Sequence, residues 1–399
     1  MSWPMVKLAE VCQINPRLPK GVDEEQEVSF LAMASVSEEG QILTQESRIL
    51  GETKKGFTYF EKDDVIVAKI TPCFENGKAA FLDSLNTQIG FGSTEFHVLR
   101  PNEGQLDGKY LFYLVWNDKF RFVAERNMSG SAGQKRVPTD FFKKLEIPLP
   151  PLDEQKRITA ILDKADAIRQ KRKQALALAD DFLRSVFLDM FGDIDGNGWG
   201  LTTVEKLAQD KKGSMRTGPF GSQLLHSEFT ESGIAVLGID NAVNNKFEWS
   251  KSRFISEDKY KELHRYTVYP GDVIITIMGT CGRCAVVPND IPVAINTKHL
   301  CCITLDQEKC LPSFLHAYFL YHPEAKRYLA QNTKGAIMAG LNMGIIKGMP
   351  VPEVPITLQE RFEDLLRYFE KTSARLGKGL VKTEANFISL SQKAFSGQL

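Results

Sequence analysis

Cysteine, histidine and carboxylate spacings are where catalysis or metal binding would show in this chain, and each falls short. Cys281-Gly282-Arg283-Cys284 has the two-residue gap of half a zinc site or of a redox dithiol. Downstream, Cys301, Cys302 and Cys310 supply no second pair at ligand spacing, and the six histidines (97, 226, 264, 299, 316, 322) form no HxxxH or triad-like pattern. The CxxC therefore reads as a turn flanking a strand. Gly51 to Phe57 has the glycine spacing of a phosphate loop, but Phe57 stands where the phosphate-binding lysine must be. Asp210-Lys211-Lys212 is an acidic-x-Lys match at chance level for a metal-dependent nuclease. Methyl transfer to a base would need a Phe-x-Gly-x-Gly cofactor loop and an Asn/Asp-Pro-Pro-aromatic segment. The only Pro-Pro pair, in Leu149-Pro150-Pro151-Leu152, has neither the polar residue nor the aromatic one. The sequence predicts no catalytic residue, no metal and no cofactor in this chain.

Three glycine-rich loops carry the remaining chemistry. Gly130-Ser131-Ala132-Gly133-Gln134-Lys135-Arg136 joins backbone freedom to donors that can reach phosphates or base edges. Arg216-Thr217-Gly218-Pro219-Phe220-Gly221-Ser222-Gln223 is a second such loop. The third, Gly335 to Asn342, is far less polar. On their residues alone these loops read more readily as ordinary solvated turns; if the chain binds DNA, the candidate contacts are Ser131, Gln134, Lys135 and Arg136 in the first half of the chain, with Arg216, Ser222, Gln223 and Arg283 in the second.

These loops must be carried by a scaffold, and the scaffold is written twice. Asp64 to Ile70 matches Asp272 to Met278 at an offset of 208; Thr94 matches Thr297 at 203; Tyr110-Leu111, Gly130 and Gln155 to Ile158 match Phe314-Leu315, Gly335 and Gln359 to Phe362 at 204 to 205. An offset of half the chain, held over separate segments, is a duplication with a period far too long for a solenoid. Each copy ends in prolines followed by a long apolar-striped segment. After Pro148, Pro150 and Pro151, with Asp153 as the expected N-cap, Ile158, Ile161, Ala165, Ile168, Arg172, Ala175, Ala179, Phe182 and Val186 recur at steps of three and four. Arg169, Lys171 and Lys173 are expected on the outer face. After Pro350, Pro352 and Pro355 the stripe runs through Leu358, Phe362, Leu365 and Phe369 to Ala394, and Gly377 and Gly379 predict a break or bend. Short β-branched runs (Phe30–Val36, Gly56–Phe60, Asp64–Ile70) and a helical run over Tyr110–Arg126 make each globule α+β.

Apolar and charged contents of 43% and 25% suit an ordinary soluble protein, and seven cysteines without a disulfide framework suit the reducing cytoplasm. Fifty basic residues face fifty acidic ones, and neither globule departs from balance (18 against 21 in residues 1–148, 17 against 16 in 193–350). Charge alone argues against a nucleic-acid binder, so a DNA-binding face must be a local patch or be completed by a partner.

Ile147-Pro148-Leu149-Pro150-Pro151-Leu152-Asp153-Glu154-Gln155-Lys156-Arg157-Ile158 at the head of a mid-chain helix resembles the central region of type I restriction–modification specificity subunits. Met349 to Phe362 at the head of the last helix, Thr217 to Ser222 through Leu237, Tyr269 to Ile274 and Gly130 to Gln134 are similar to other parts of that family. The resemblance implies two α+β target recognition domains separated by two long helices in an antiparallel coiled coil, with a pseudo-two-fold repeat. The divisions would be 1–147, 148–192, 193–350 and 351–399. It also implies a non-catalytic subunit that reads a bipartite, asymmetric site in double-stranded DNA. Methyltransferase subunits, two of them, would bind S-adenosylmethionine, and restriction–translocase subunits would bind ATP and Mg. A protein–protein adapter that never touches DNA is the alternative that the neutral charge supports; a self-contained DNA-modifying enzyme is disfavoured by the missing motifs.

Overall fold

The computed structural model describes residues 3–131, 133–332 and 341–399. The chain forms two compact units: Met1–Gln174 with Gly377–Leu399, and Ala175–Leu376. Each unit takes one globule and a segment of each long helix, Leu152–Phe191 and Ile356–Phe395.

In the first unit, strands Cys12–Ile14, Phe96–Pro101, Val65–Ala68 and Ala79–Phe81 lie side by side in that order, all antiparallel. A second sheet orders Glu46–Ile49, Glu27–Leu31, Ile89–Gly92 and Thr58–Glu61 around one parallel pair, Glu27–Leu31 with Ile89–Gly92. The second unit repeats the plan. Met215–Thr217, Leu300–Ile303, Val273–Thr276 and Cys284–Val286 form the antiparallel sheet. The other sheet adds one edge strand: Phe229–Thr230, Phe254–Ile255, Ile234–Leu237, Ala294–Asn296, Thr267–Val268, again with one parallel pair in the middle. Both units are α+β.

The repeated β-branched run explains this order. Val65 and Val67 point into the core shared with the helices, while Ile66 points into a second core between the sheets. Val273, Ile275 and Ile274 divide in the same way. A strand apolar on both faces must be covered on both faces, and these two runs are.

The proline segments act as short strands before each long helix. Glu146–Pro148 pairs with Met5–Lys7, and Pro350–Pro352 with Leu201–Thr203. The first helix begins at Leu152, so Asp153 lies in its first turn and is not the N-cap; Pro151 ends the extended entry one residue sooner than expected. In the first unit the two helix segments run antiparallel: Lys173 Nζ lies 3.5 Å from Glu384, and Arg157 donates to the Leu399 carbonyl at 2.9 Å. In the second unit Phe182 meets Phe369 and Phe187 meets Phe362, at ring separations of 5.1 and 5.3 Å. Phe187 and Phe191 are fully buried against Phe314 and Phe362, worth about 2–3 kcal/mol each in burial alone.

Three expectations about the elements need correction. The run Tyr110–Arg126 is two helices, Gly108–Trp116 and Asp118–Glu125, because Asn117 leaves the helical region and caps the second one, accepting from Lys119 N at 2.8 Å. The second long helix runs unbroken through Gly377 and Gly379. A Cβ at 379 would overlap the end of the Arg172 side chain, so this glycine leaves space that the guanidinium occupies and does not interrupt its own helix. Arg169 is not on the outer face. It is 8% exposed, pairs with Glu39 and Asp166 at 2.7 Å, and lies over the Trp116 and Phe387 rings.

Candidate nucleic-acid interface

In the first unit, the C-terminal ends of Cys12–Ile14 and Val65–Ala68 and the N-terminal ends of Phe96–Pro101 and Ala79–Phe81 share one end of the sheet. The loop 129–136 is laced to that end. Ser129 and Arg136 exchange backbone hydrogen bonds at 3.0 and 2.8 Å, Val137 N donates to Lys69 O at 3.0 Å, and Thr71 N donates to Lys135 O at 3.0 Å. Gly130 (φ 126°) has no room for a side chain, whose Cβ would lie 2.8 Å from the Gln134 carbonyl oxygen. The turn thus rests on a short ladder and not on loop chemistry alone.

Ser131, Gln134 and Lys135 are exposed, and their side chains make no hydrogen bond or ion pair among the described residues. Arg136 differs. Its Nε reaches both Glu95 oxygens at 3.1 and 3.0 Å, Nη2 reaches Glu95 at 2.8 Å, and Nη1 donates to the Gln134 carbonyl at 3.1 Å. The hydrogen bonds from Arg136 hold the Glu95 carboxyl below the usual carboxylate range. Half-buried Lys69 stands beside this pair, its pKa lowered chiefly by burial. His97, one residue beyond the site, is 1% exposed with Nε2 at 2.8 Å from Val137 O; burial drives its pKa down to about 4.

The same end of the second unit's sheet carries Gly218–Gln223, Lys298–His299 and Met278–Arg283. Gly218 N donates to Thr297 O at 3.2 Å, and a Cβ on Gly218 would overlap the Asn296–Thr297 backbone, which is why glycine stands there. Ser222 is exposed. Gln223 is exposed too, but its Oε1 accepts from Phe220 N at 3.2 Å and Tyr266 OH at 2.9 Å, so only its amide nitrogen faces outward uncommitted. Arg283 is exposed with its backbone N held by Thr276 Oγ1 at 2.9 Å, and its guanidinium has no ion pair among the described residues.

Arg216 leaves the candidate set. It is 7% exposed and pairs with fully buried Asp272 at 2.5 Å, while also donating to Thr267 O, Gly213 O and Thr304 Oγ1. A guanidinium spent on a buried carboxylate cannot reach DNA without opening the core. Residues 335–340 of the third loop lie outside the described residues. The CxxC closes a turn, with Gly282 at φ 78° and Cys284 beginning a strand. Burial raises the Cys301 and Cys310 thiols to about 12, and no group of metal-ligating side chains occurs among the described residues.

Sequence reading missed Glu95, Lys298 and His299. The signal for them was positional: Lys69 N donates to Glu95 O at 2.7 Å and Ile277 N to His299 O at 2.9 Å, so Glu95 and His299 occupy equivalent posts. His299 has a lowered pKa, first from burial and then from the charges of Lys298 and Arg253. The two sheet ends are therefore alike in backbone and unlike in side chains.

Parts of the chain are similar to known proteins. Residues 2–178 match the type I restriction modification DNA specificity domain. The chain is 42% identical over 164 residues to the type I restriction enzyme EcoEI specificity subunit of Escherichia coli, and 40% identical over 180 residues to the EcoAI specificity subunit of the same organism. These matches cover 41% and 44% of this chain but only 27% and 30% of those relatives, so the chain spans less than a third of their length. A solved structure described as underlying complex assembly and conformational transition of the type I R-M system has the same fold over 100% of this chain and 98% of its own (TM-score 0.61, 17% identity). So does a type I restriction–modification S subunit from M. genitalium, over 99% and 96% (TM-score 0.55, 15% identity). Residues 2–178 are thus similar to a type I restriction modification DNA specificity domain, and the chain as a whole shares the fold of the solved type I restriction–modification structures.

Proposed function

We propose that this chain is the non-catalytic, DNA-reading subunit of a cytoplasmic type I restriction–modification complex. It reads a bipartite, asymmetric site, one half per globule, with the long helices setting the spacer. Methyltransferase subunits, two per chain, bring S-adenosylmethionine, and restriction–translocase subunits bring ATP and Mg. The carrying observation is a repeated scaffold whose equivalent sheet ends present different groups: exposed Ser131, Gln134, Lys135 and Arg136 with half-buried Glu95 in one, exposed Ser222, Lys298 and Arg283 with half-buried His299 in the other. Equal scaffolds with unequal side chains suit two different half-sites in the major groove.

The test is a genome-wide methylation map in cells with and without this chain, its methyltransferase partner present in both. The expected result is a methylated two-part sequence that vanishes without the chain. Exchange of residues 1–145 for those of a relative changes one half only. Methylation by the purified chain alone overturns the reading. A complex that assembles but binds all DNA equally favours the adapter instead.

A further inference from the structure

Arg136 has five N–H donors, and contacts among the described residues use three of them. Nε and one Nη2 proton go to Glu95, and one Nη1 proton goes to the Gln134 carbonyl. One N–H remains on each Nη nitrogen, and the side chain is 44% exposed. Two donors on adjacent nitrogens of a planar guanidinium, pointing away from a carboxylate that grips its other edge, make a fixed fork. Such a fork matches the O6 and N7 acceptors that guanine alone presents in the major groove.

The mounting is rigid on every side. Arg136 lies between Ser129 and Ile70 in a two-sided backbone bridge, and Glu95 directly precedes the strand Phe96–Pro101, its own carbonyl tied to Lys69 N at 2.7 Å. A long arginine held this way loses little freedom on binding, which is what a specific contact requires. The carboxylate also disfavours a bare phosphate, because a phosphate approaching Arg136 meets the negative charge of Glu95. Lys135, exposed and without an ion pair among the described residues, is the phosphate-type cation of the same loop. The second unit has His299 where the first has Glu95, so this device belongs to one half-site only.

Resting on the DNA-reading proposal above, we infer that Arg136 reads a guanine in the half-site of the first globule, and that Glu95 is the positioning residue that makes it a base reader.

The experiment uses the complex of the full chain with its methyltransferase subunit, and duplexes in which 7-deazaguanine, lacking the N7 acceptor, replaces each guanine of the mapped site in turn. The first half-site is identified by the exchange of residues 1–145. For the unaltered protein, one replacement in that half-site should weaken binding about tenfold. In Arg136→Lys and Glu95→Gln complexes the same replacement should change binding less than twofold, and methylation should accept other bases at that position. Binding of Glu95→Gln to DNA without the site should be unchanged or tighter, since a negative charge has been removed. The inference is overturned if no guanine of that half-site responds, if both variants keep the guanine preference, or if they weaken binding equally for every sequence, as loss of a phosphate contact would. An unaltered complex that shows no sequence preference at all overturns the DNA reading itself, which separates the two failures. The deazaguanine result on the unaltered protein stands even if a variant folds poorly.

Discussion

Gln155 and Gln359 perform the same task in the two copies. Each stands fully buried in the first or second turn of a long helix. Gln155 Oε1 accepts from Asp107 N at 2.8 Å while its Nε2 donates to Gln105 O and Pro150 O; Gln359 Oε1 accepts from Leu311 N at 2.8 Å while its Nε2 donates to Lys309 O and Val354 O. Each glutamine thereby locks the proline segment, the helix start and the loop before a buried helix into one angle. Removing such a hub leaves buried backbone groups unpaired, at a cost of about 1–3 kcal/mol. Gln155→Ala should lower the urea midpoint accordingly, and Gln359→Ala should do the same. Glutamate at either position should be no better, since it supplies an acceptor but no amide donors.

Arg216 offers a contrast with Lys135. Arg216→Ala should destabilise the protein by about 3–5 kcal/mol, the cost of leaving a buried carboxylate alone, and calorimetry should show a lower melting temperature. If the variant melts normally and instead changes the methylated sequence, Arg216 is a DNA contact after all.

Lys135→Ala and Arg283→Ala should leave melting unchanged. Each should reduce the slope of log binding against log salt by about one unit while weakening all sequences alike. Competition titrations from low to moderate salt would measure both slopes.

Acid should loosen the first globule before it reaches ordinary carboxylate pH. His97 titrates at 6.5 when exposed and at about 4 in the fold, because burial disfavours its charged form, and Lys69 nearby adds to that while Glu95 opposes it. Between those values the unfolded chain binds more protons, so stability climbs with pH from about 4 to 6.5 and is level above, by about 3 kcal/mol at most. His97→Gln should flatten that slope. Half-buried His316, whose pKa is lowered by burial of the ring, acts in the same direction in the second globule, so some slope remains.

The helices test the spacer. Because the second helix has no break at its glycines, four residues must be added to both helices, within 174–178 and within 376–380. About 6 Å of helix against roughly 3.4 Å per base pair lengthens the spacer in the methylated site by one or two base pairs. Four residues make just over one turn, so the apolar stripe nearly returns to its seam. An unchanged spacer would show that the helices do not measure it.

The duplication, the α+β globules and the two proline-headed helices were legible because each rests on local pattern: β-branched runs, prolines that cannot enter a helix, apolar residues at steps of three and four. What was misread depends on partners distant in sequence. Arg216 resembles a free loop cation until Asp272, fifty-six residues later, is seen beside it. Gly379 resembles a helix breaker until Arg172 is found filling the space its missing side chain leaves. Arg169 resembles a surface cation until Glu39, Trp116 and Phe387 surround it. At the candidate interface, Lys135 stood out by residue type and its place in a glycine-rich loop, whereas Glu95 could not, since a carboxylate is an unexpected neighbour for an arginine proposed to face DNA.

Asp64 and Asp272 occupy matching positions before matching strands, yet they are neutralised from different directions. Arg100, on the neighbouring strand, serves Asp64 at 2.8 Å; Thr304 stands in the place of Arg100 in the second copy, and the edge strand sends Arg216 instead, with Asn15 as its counterpart in the first. The two copies thus differ by a compensated exchange inside the core, and this limits how segments of the two can be joined. A crossover that joined the first copy's edge strand to the second copy's central strands would leave Asp272 with no cation, and the reciprocal product would crowd two arginines around Asp64. Stable recombinants must therefore inherit each sheet whole, from its edge strand through its last hairpin, so that entire globules can be traded but their strands cannot be mixed.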